Sequence, residues 1–143
     1  MAPVRIATVH YLNARPLVRG FTHGPLSNTV HLQQASPARC ALWLAASSVD
    51  VALIPSIEYL RIPHLTVLPG MAIASRREAR SVLLVSKVAP PEIRTAALDN
   101  SSRTSAALVR ILLSRRSRHT VAYQEMEPDP GRMLERCDAA LLI

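Results

Sequence analysis

The stretch VRIATVHYLNARPLVRG, residues 4–20, passes from an apolar strand to a helix with almost nothing between them. Val4–Val9 has the β-branched, aliphatic composition of a strand. Pro16 is tolerated only in the first turn of a helix, so a helix starts near Ala14. Asn13 stands at the junction, where a hydrophobic residue would seal the core.

The same alternation continues along the chain. NTVHLQQA (28–35) reads as a second strand with a polar face set against Val30 and Leu32. Ser36-Pro37 then opens the helix PARCALWLAAS as an N-cap with proline at the first helical position. VDVALIP (49–55) reads as a buried strand ended by Pro55, and SIEYLR as a short helix capped by Ser56. The apolar runs LTVLPGMAIAS and SVLLVSK flank an arginine-rich turn, and APPEIR (89–94) is an extended linker. TAALD (95–99) is a strand, SSRTSAALVRILLSRR a helix, TVAYQE a strand, DPGRMLERC a helix and DAALLI (138–143) a last strand. Strands alternating with helices predict an α/β protein with largely parallel sheets. No internal repeat and no low-complexity segment is evident, and the one plausible internal boundary lies around VSKVAPPEIR.

Composition narrows the classes. Aromatic residues make up 3% of the chain, so its core is built from Val, Ile, Leu and Ala, which suits a buried sheet packed with helices. The net charge of +7 is almost wholly arginine, since Lys87 is the only lysine. Coding bias accounts for such a balance, and so does an anionic partner. The runs SRREARS and SRRSRH lack the interleaved aromatics of a base-stacking surface, so they read as solvated loop and helix ends and not as a nucleic-acid site. Cys40 and Cys137 have no metal-ligand spacing and read as small buried hydrophobes in a reducing compartment. The N-terminus does not have the pattern of a signal peptide, and no apolar run reaches membrane-spanning length. The expected location is the cytoplasm.

Chemistry-bearing residues collect at strand-to-helix junctions. Ser101, Ser102, Thr104 and Ser105 crowd the start of one helix, where unpaired N–H groups and hydroxyls suit a carboxylate or phosphate. Capping needs only one of these hydroxyls. Asn13 offers a donor and an acceptor at the carboxyl end of the first strand, the end at which open α/β sheets bind ligands; asparagine is equally a good helix cap. Ser56 and Glu58 hold the equivalent place after a later strand, Ser56 suited to capping and Glu58 to an exposed first turn. Ser81 either faces a cleft or begins a strand. The five histidines have no metal-binding spacing, and neither a nucleophile elbow nor a P-loop is present.

Six blocks in order, YLNARPL, VDVALIPSIEYLR, LPGMAIAS, SVLLVSK, ALDNSSRTSAALVRILL and DAALLI, resemble the chorismate dehydratase family of the futalosine route to menaquinone. The resemblance implies the two-lobed fold of type 2 periplasmic binding proteins, with residues 1–87 in the first lobe and 88–143 in the second. It implies that the fold is incomplete in this chain, because the family's return to the first lobe is missing. It implies a cytoplasmic, cofactor-free carbon–oxygen lyase that takes chorismate, a small molecule, and needs neither nucleic acid nor membrane. Asn13 and Ser81 are then the catalytic residues, with Ser56, Ser101, Ser102, Thr104 and Ser105 binding substrate and no metal. The sister 1,4-dihydroxy-6-naphthoate synthase, a non-catalytic carboxylate-binding protein and an inactive truncated copy are the alternatives. An apolar DAALLI strand left unpaired would favour self-association. Ser48 and Arg77 stand where the family tends to have glycine, which would strain them if their backbone φ were positive.

Overall fold

A computed structural model describes residues 2–143, which form two compact units divided between Arg76 and Arg77. In the first unit, β1 (Val4–Val9) leads through a 3-10 turn at Leu12–Ala14 into α1 (Arg15–His23), then β2 (Val30–Ala35), α2 (Pro37–Ala45) and β3 (Val51–Ala52). A further 3-10 turn covers Ser56–Leu60. The sheet order is β2-β1-β3, all parallel. In the second unit, β4 (Leu83–Ser86) precedes a 3-10 turn at Pro90–Glu92, β5 (Thr95–Asp99), α3 (Arg103–Arg116), β6 (Ala122–Met126), α4 (Pro130–Arg136) and β7 (Ala139–Leu142). Its order is β4-β7-β5-β6, parallel except where β4 meets β7. This is a mixed α/β protein with open sheets, as the alternation of apolar runs predicts.

The unbroken apolar runs of the second unit follow from a sheet covered on both faces. Side chains alternate along a strand, so neighbours in TAALD and AALL point opposite ways. Ala96, Leu98, Ala139 and Leu141 pack with Val109 and Leu113 of α3. Ala97 and Ala140 pack with Met133 of α4 and with Cys137. In the first unit Ala7, Val9, Ala14, Cys40 and Val49 form the core, with Trp43 and Leu44 of α2 against it. Cys40 and Cys137 are buried free thiols, and burial pushes both above the usual thiol range.

The two units repeat one βαβαβ topology, with the first strand central, although no repeat stands out in the sequence. β1-α1-β2-α2-β3 corresponds to β5-α3-β6-α4-β7. Local details recur as well. Ser36 and Asp129 both cap a helix that begins with proline, their side chains accepting the amides of Arg39 and Arg132 at 3.3 and 3.1 Å. Cys40 and Met133, four residues after each cap, are both fully buried. Asp50 and Asp138 each precede the third strand of their motif and bind the start of the central one.

Several expectations need correction. The VDVALIP strand shrinks to Val51–Ala52; Leu53 still donates its amide to Ala7 at 2.9 Å, but Pro55 has none to give. The linker APPEIR contains a 3-10 turn, and 65–82 carries no regular element. The strand DAALLI has no free edge for self-association, because β7 lies between β4 and β5. Positive φ falls on Ser47 and His64, not on Ser48 or Arg77, so those two carry no such strain. Among the described residues no helix is long and apolar enough to cross a membrane.

Asp50 is the most perturbed carboxyl group. The Arg5 guanidinium donates to it through Nε at 3.1 Å and Nη2 at 2.6 Å, and the Arg5 amide adds a bond at 2.9 Å. The guanidinium bonds lead in lowering its pKa to about 2. A carboxyl group with a lowered folded-state pKa contributes stability above its unfolded value, which is lost as the pH falls toward the folded value. The window is therefore roughly pH 4 to 2. Thermal melts across it should show the melting temperature of Asp50→Asn falling less steeply than that of the wild type; parallel curves would mean that the pair contributes nothing.

Candidate functional site

Strand direction gathers the candidate residues at one end of each sheet. Asn13 follows β1 and Ser56 follows β3, two adjacent parallel strands of the first unit. In the second unit Ser101, Ser102, Thr104 and Ser105 follow β5. Ser81 precedes β4, which runs antiparallel to β7 and begins with Leu83 opposite Leu142. The start of β4 therefore lies at the same sheet end as the carboxyl ends of β5 and β7. All seven residues stand at the ligand-binding end of an open α/β sheet, each within its own unit.

Asn13 does not cap α1. The cap position is Ala14 and no side chain serves it, while Asn13 sits exposed in the middle of the 3-10 turn. The turn is closed by the backbone, Ala14 donating its amide to the Tyr11 carbonyl at 3.0 Å. Ser56 is not a cap either: Pro55 holds that position, and Ser56 is the exposed first residue of its turn. Ser81 is exposed in a turn two residues before β4.

The hydroxyl cluster of α3 divides its work. Ser102 is the N-cap and accepts the Ser105 amide at 3.4 Å, and its hydroxyl donates to the Ser105 hydroxyl at 2.9 Å. Ser101 is exposed; Ser102, Thr104 and Ser105 are half-buried. Beneath them Asp99, 1% exposed, accepts the Ser101 amide through Oδ1 at 2.8 Å. The neighbouring Asn100 is held by Glu127, which accepts from Nδ2 at 2.7 Å, and by its own amide on the Met126 carbonyl at 3.1 Å.

Sequence reasoning missed two buried acids. Glu58, expected in an exposed first turn, is 4% exposed and accepts from Arg61 Nη1 at 3.1 Å. Nothing in SIEYLR marks it as buried. Asp99 was legible in part, as an acid at the end of an apolar run and two residues before a run of hydroxyls. Its Oδ2 and the hydroxyl of Thr8 are buried side-chain atoms without a hydrogen-bond partner. Both lie near the carboxyl ends of central strands, β5 and β1. Among the described residues no group of three His, Cys, Asp or Glu side chains is placed to hold a metal ion. An open depression of about 460 Å³ beside β6 and α4, lined by Glu125, Glu127, Arg132 and Arg136 among others, contains none of the candidate residues.

A family model described as menaquinone biosynthesis matches residues 4–143.

The geometry separates supporting residues from exposed ones. Ser102→Ala removes an N-cap and should cost about 1 kcal/mol of stability in urea unfolding. Asn13→Ala removes an exposed side chain that caps nothing and should change stability by less than about 0.5 kcal/mol. A large loss for Asn13→Ala would show that its amide supports the fold.

Proposed function

The chain belongs to the menaquinone-biosynthesis family, and from that premise we propose that it is a chorismate dehydratase, a hydro-lyase converting chorismate to 3-[(1-carboxyvinyl)oxy]benzoate. On this reading its two units belong to the two lobes of a type 2 periplasmic-binding-protein-like fold working in the cytoplasm without a cofactor. The observation that supports it best is the collection of neutral hydrogen-bonding side chains at the carboxyl ends of both sheets. Such an array suits a substrate that supplies its own charge.

The reaction needs orientation more than strong acids or bases. The ring hydroxyl leaves, a ring proton is lost, and aromatisation of the cyclohexadiene supplies the driving force. Asn13 and Ser81 are neutral, so their part is to hold the reacting atoms by hydrogen bonds. A carboxylate of the substrate itself takes the ring proton and gives it up to the departing hydroxyl, which is lost as water. The other carboxylate lies at the start of α3, where the helix end favours negative charge. There Ser105, having accepted the Ser102 hydroxyl, has its own proton left for the ligand. A hydroxyl that accepts one hydrogen bond donates the next more strongly. The +7 charge helps to draw in a dianion.

Incubation with chorismate and chromatography of the products tests the reading. The benzoate product should form, and Asn13→Ala should lower kcat by about 10²-fold or more while the protein stays folded. Undiminished turnover by Asn13→Ala would overturn the role given to it. Offering the substrate of the sister naphthoate synthase in parallel decides between the two activities: conversion of that compound and not of chorismate would overturn the assignment.

A further inference from the structure

Asp99 is a buried acid that neither the helix cap nor the proposed reaction uses. Holding one backbone amide does not require a carboxylate, because an asparagine at the same place offers the same oxygen. The second oxygen is left in the interior without a donor, an arrangement that costs stability. The topology does not demand it either. Aligned on the strand pairs Ile6–Val51 and Ala96–Ala139, position 99 of the second unit corresponds to position 9 of the first. That position is Val9, 4% exposed, packed in the apolar core. A valine closes the end of one central strand, and a carboxylate closes the end of the other. The difference coincides with the hydroxyl cluster, which follows β5 and has no counterpart after β1.

We infer that Asp99 is a positioning residue for the carboxylate-binding end of α3, an inference that rests on the function proposed above. Its Oδ1 accepts the Ser101 amide at 2.8 Å and so fixes the first residue of the hydroxyl cluster against the end of β5. Asn100, held on its far side by Glu127 and Met126, leaves the short segment between β5 and the Ser102 cap tied from two directions. The directions in which the Ser101 and Ser102 hydroxyls leave the backbone are thereby set before a ligand arrives. Asp99 acts through these serines and does not itself touch the substrate.

The test uses the full chain and three variants. Asp99→Asn keeps an oxygen for the Ser101 amide. Asp99→Val copies the first unit and removes that oxygen; Asp99→Ala removes it too, should the valine variant fail to fold. Asp99→Val should raise KM for chorismate about tenfold with kcat within about twofold, and Asp99→Asn should stay within about threefold of the wild-type KM. The amide resonance of Ser101 is followed separately as benzoate is added. It should move in the wild type and in Asp99→Asn and stay still in Asp99→Val. A lowered melting temperature with KM and the benzoate response unchanged would overturn the inference, and so would a wild-type Ser101 resonance indifferent to benzoate. A wild-type chain that answers benzoate at Ser101 but leaves chorismate intact overturns the proposed reaction instead, and the resonance then decides the role of Asp99.

Discussion

The second sheet depends on one carboxylate, that of Asp138. Its Oδ2 accepts the Arg94 amide at 3.0 Å, the Thr95 amide at 2.9 Å and the Thr95 hydroxyl at 3.0 Å. Its own amide donates back to that hydroxyl at 2.9 Å, and its carbonyl accepts from the Lys87 amide at 2.9 Å and the Ser86 hydroxyl at 3.2 Å. Three strands, β4, β5 and β7, are thus tied at one residue. The Arg94 amide, followed by the Thr95 hydroxyl and amide, holds the carboxyl group below the usual carboxylate range. Register is the quantity at stake. A slip of one residue would exchange the side chains facing α3 with those facing α4.

Asp50 has the same place in the first unit. It stands before β3 and takes the amide of Arg5 near the start of β1, as Asp138 takes that of Thr95 at the start of β5. Both ties are made at the amino ends of the parallel strands. Their partners differ in kind: Arg5 adds its guanidinium in an ion pair with both members about half exposed, whereas Thr95 adds a hydroxyl. One arrangement is electrostatic and open to screening by salt; the other is a small hydrogen-bonded network.

The strand TAALD, the capped helix PARCALWLA and the hydroxyl-rich start of α3 were legible because each is fixed by local chemistry. What escaped the sequence is set by partners distant in the chain. The burial of Glu58 cannot be read from its immediate neighbours. The interior place of β7 depends on β4 turning back against it, more than fifty residues upstream. Asn13 resembles a cap because asparagine caps well, yet a backbone-closed 3-10 turn intervenes and moves the helix start past it. The repeat is hidden by unequal spacing: α1 has 9 residues against 14 for α3, and the cap-to-aspartate intervals from Ser36 and Asp129 differ as well. Only SPARC…VDVALI beside DPGRM…CDAALLI preserves it, and shared residue types within so short a pattern become visible once the strands are superposed in order.

A division of labour between the two ends of each sheet follows. The amino ends carry the aspartate ties that set register, so the carboxyl ends are relieved of that task. Polar groups left without partners cost about 1–3 kcal/mol each, set against a total stability of some 5–15 kcal/mol for a typical domain. Placed where pairing is decided, such groups would favour competing registers that satisfy them. At the far ends of strands already locked, the Thr8 hydroxyl and the second Asp99 oxygen can remain unpaired without offering the chain a better alternative. The ordered sheet is what makes an unsatisfied end tolerable: the register is already decided at the other end, and no competing pairing gains by satisfying it.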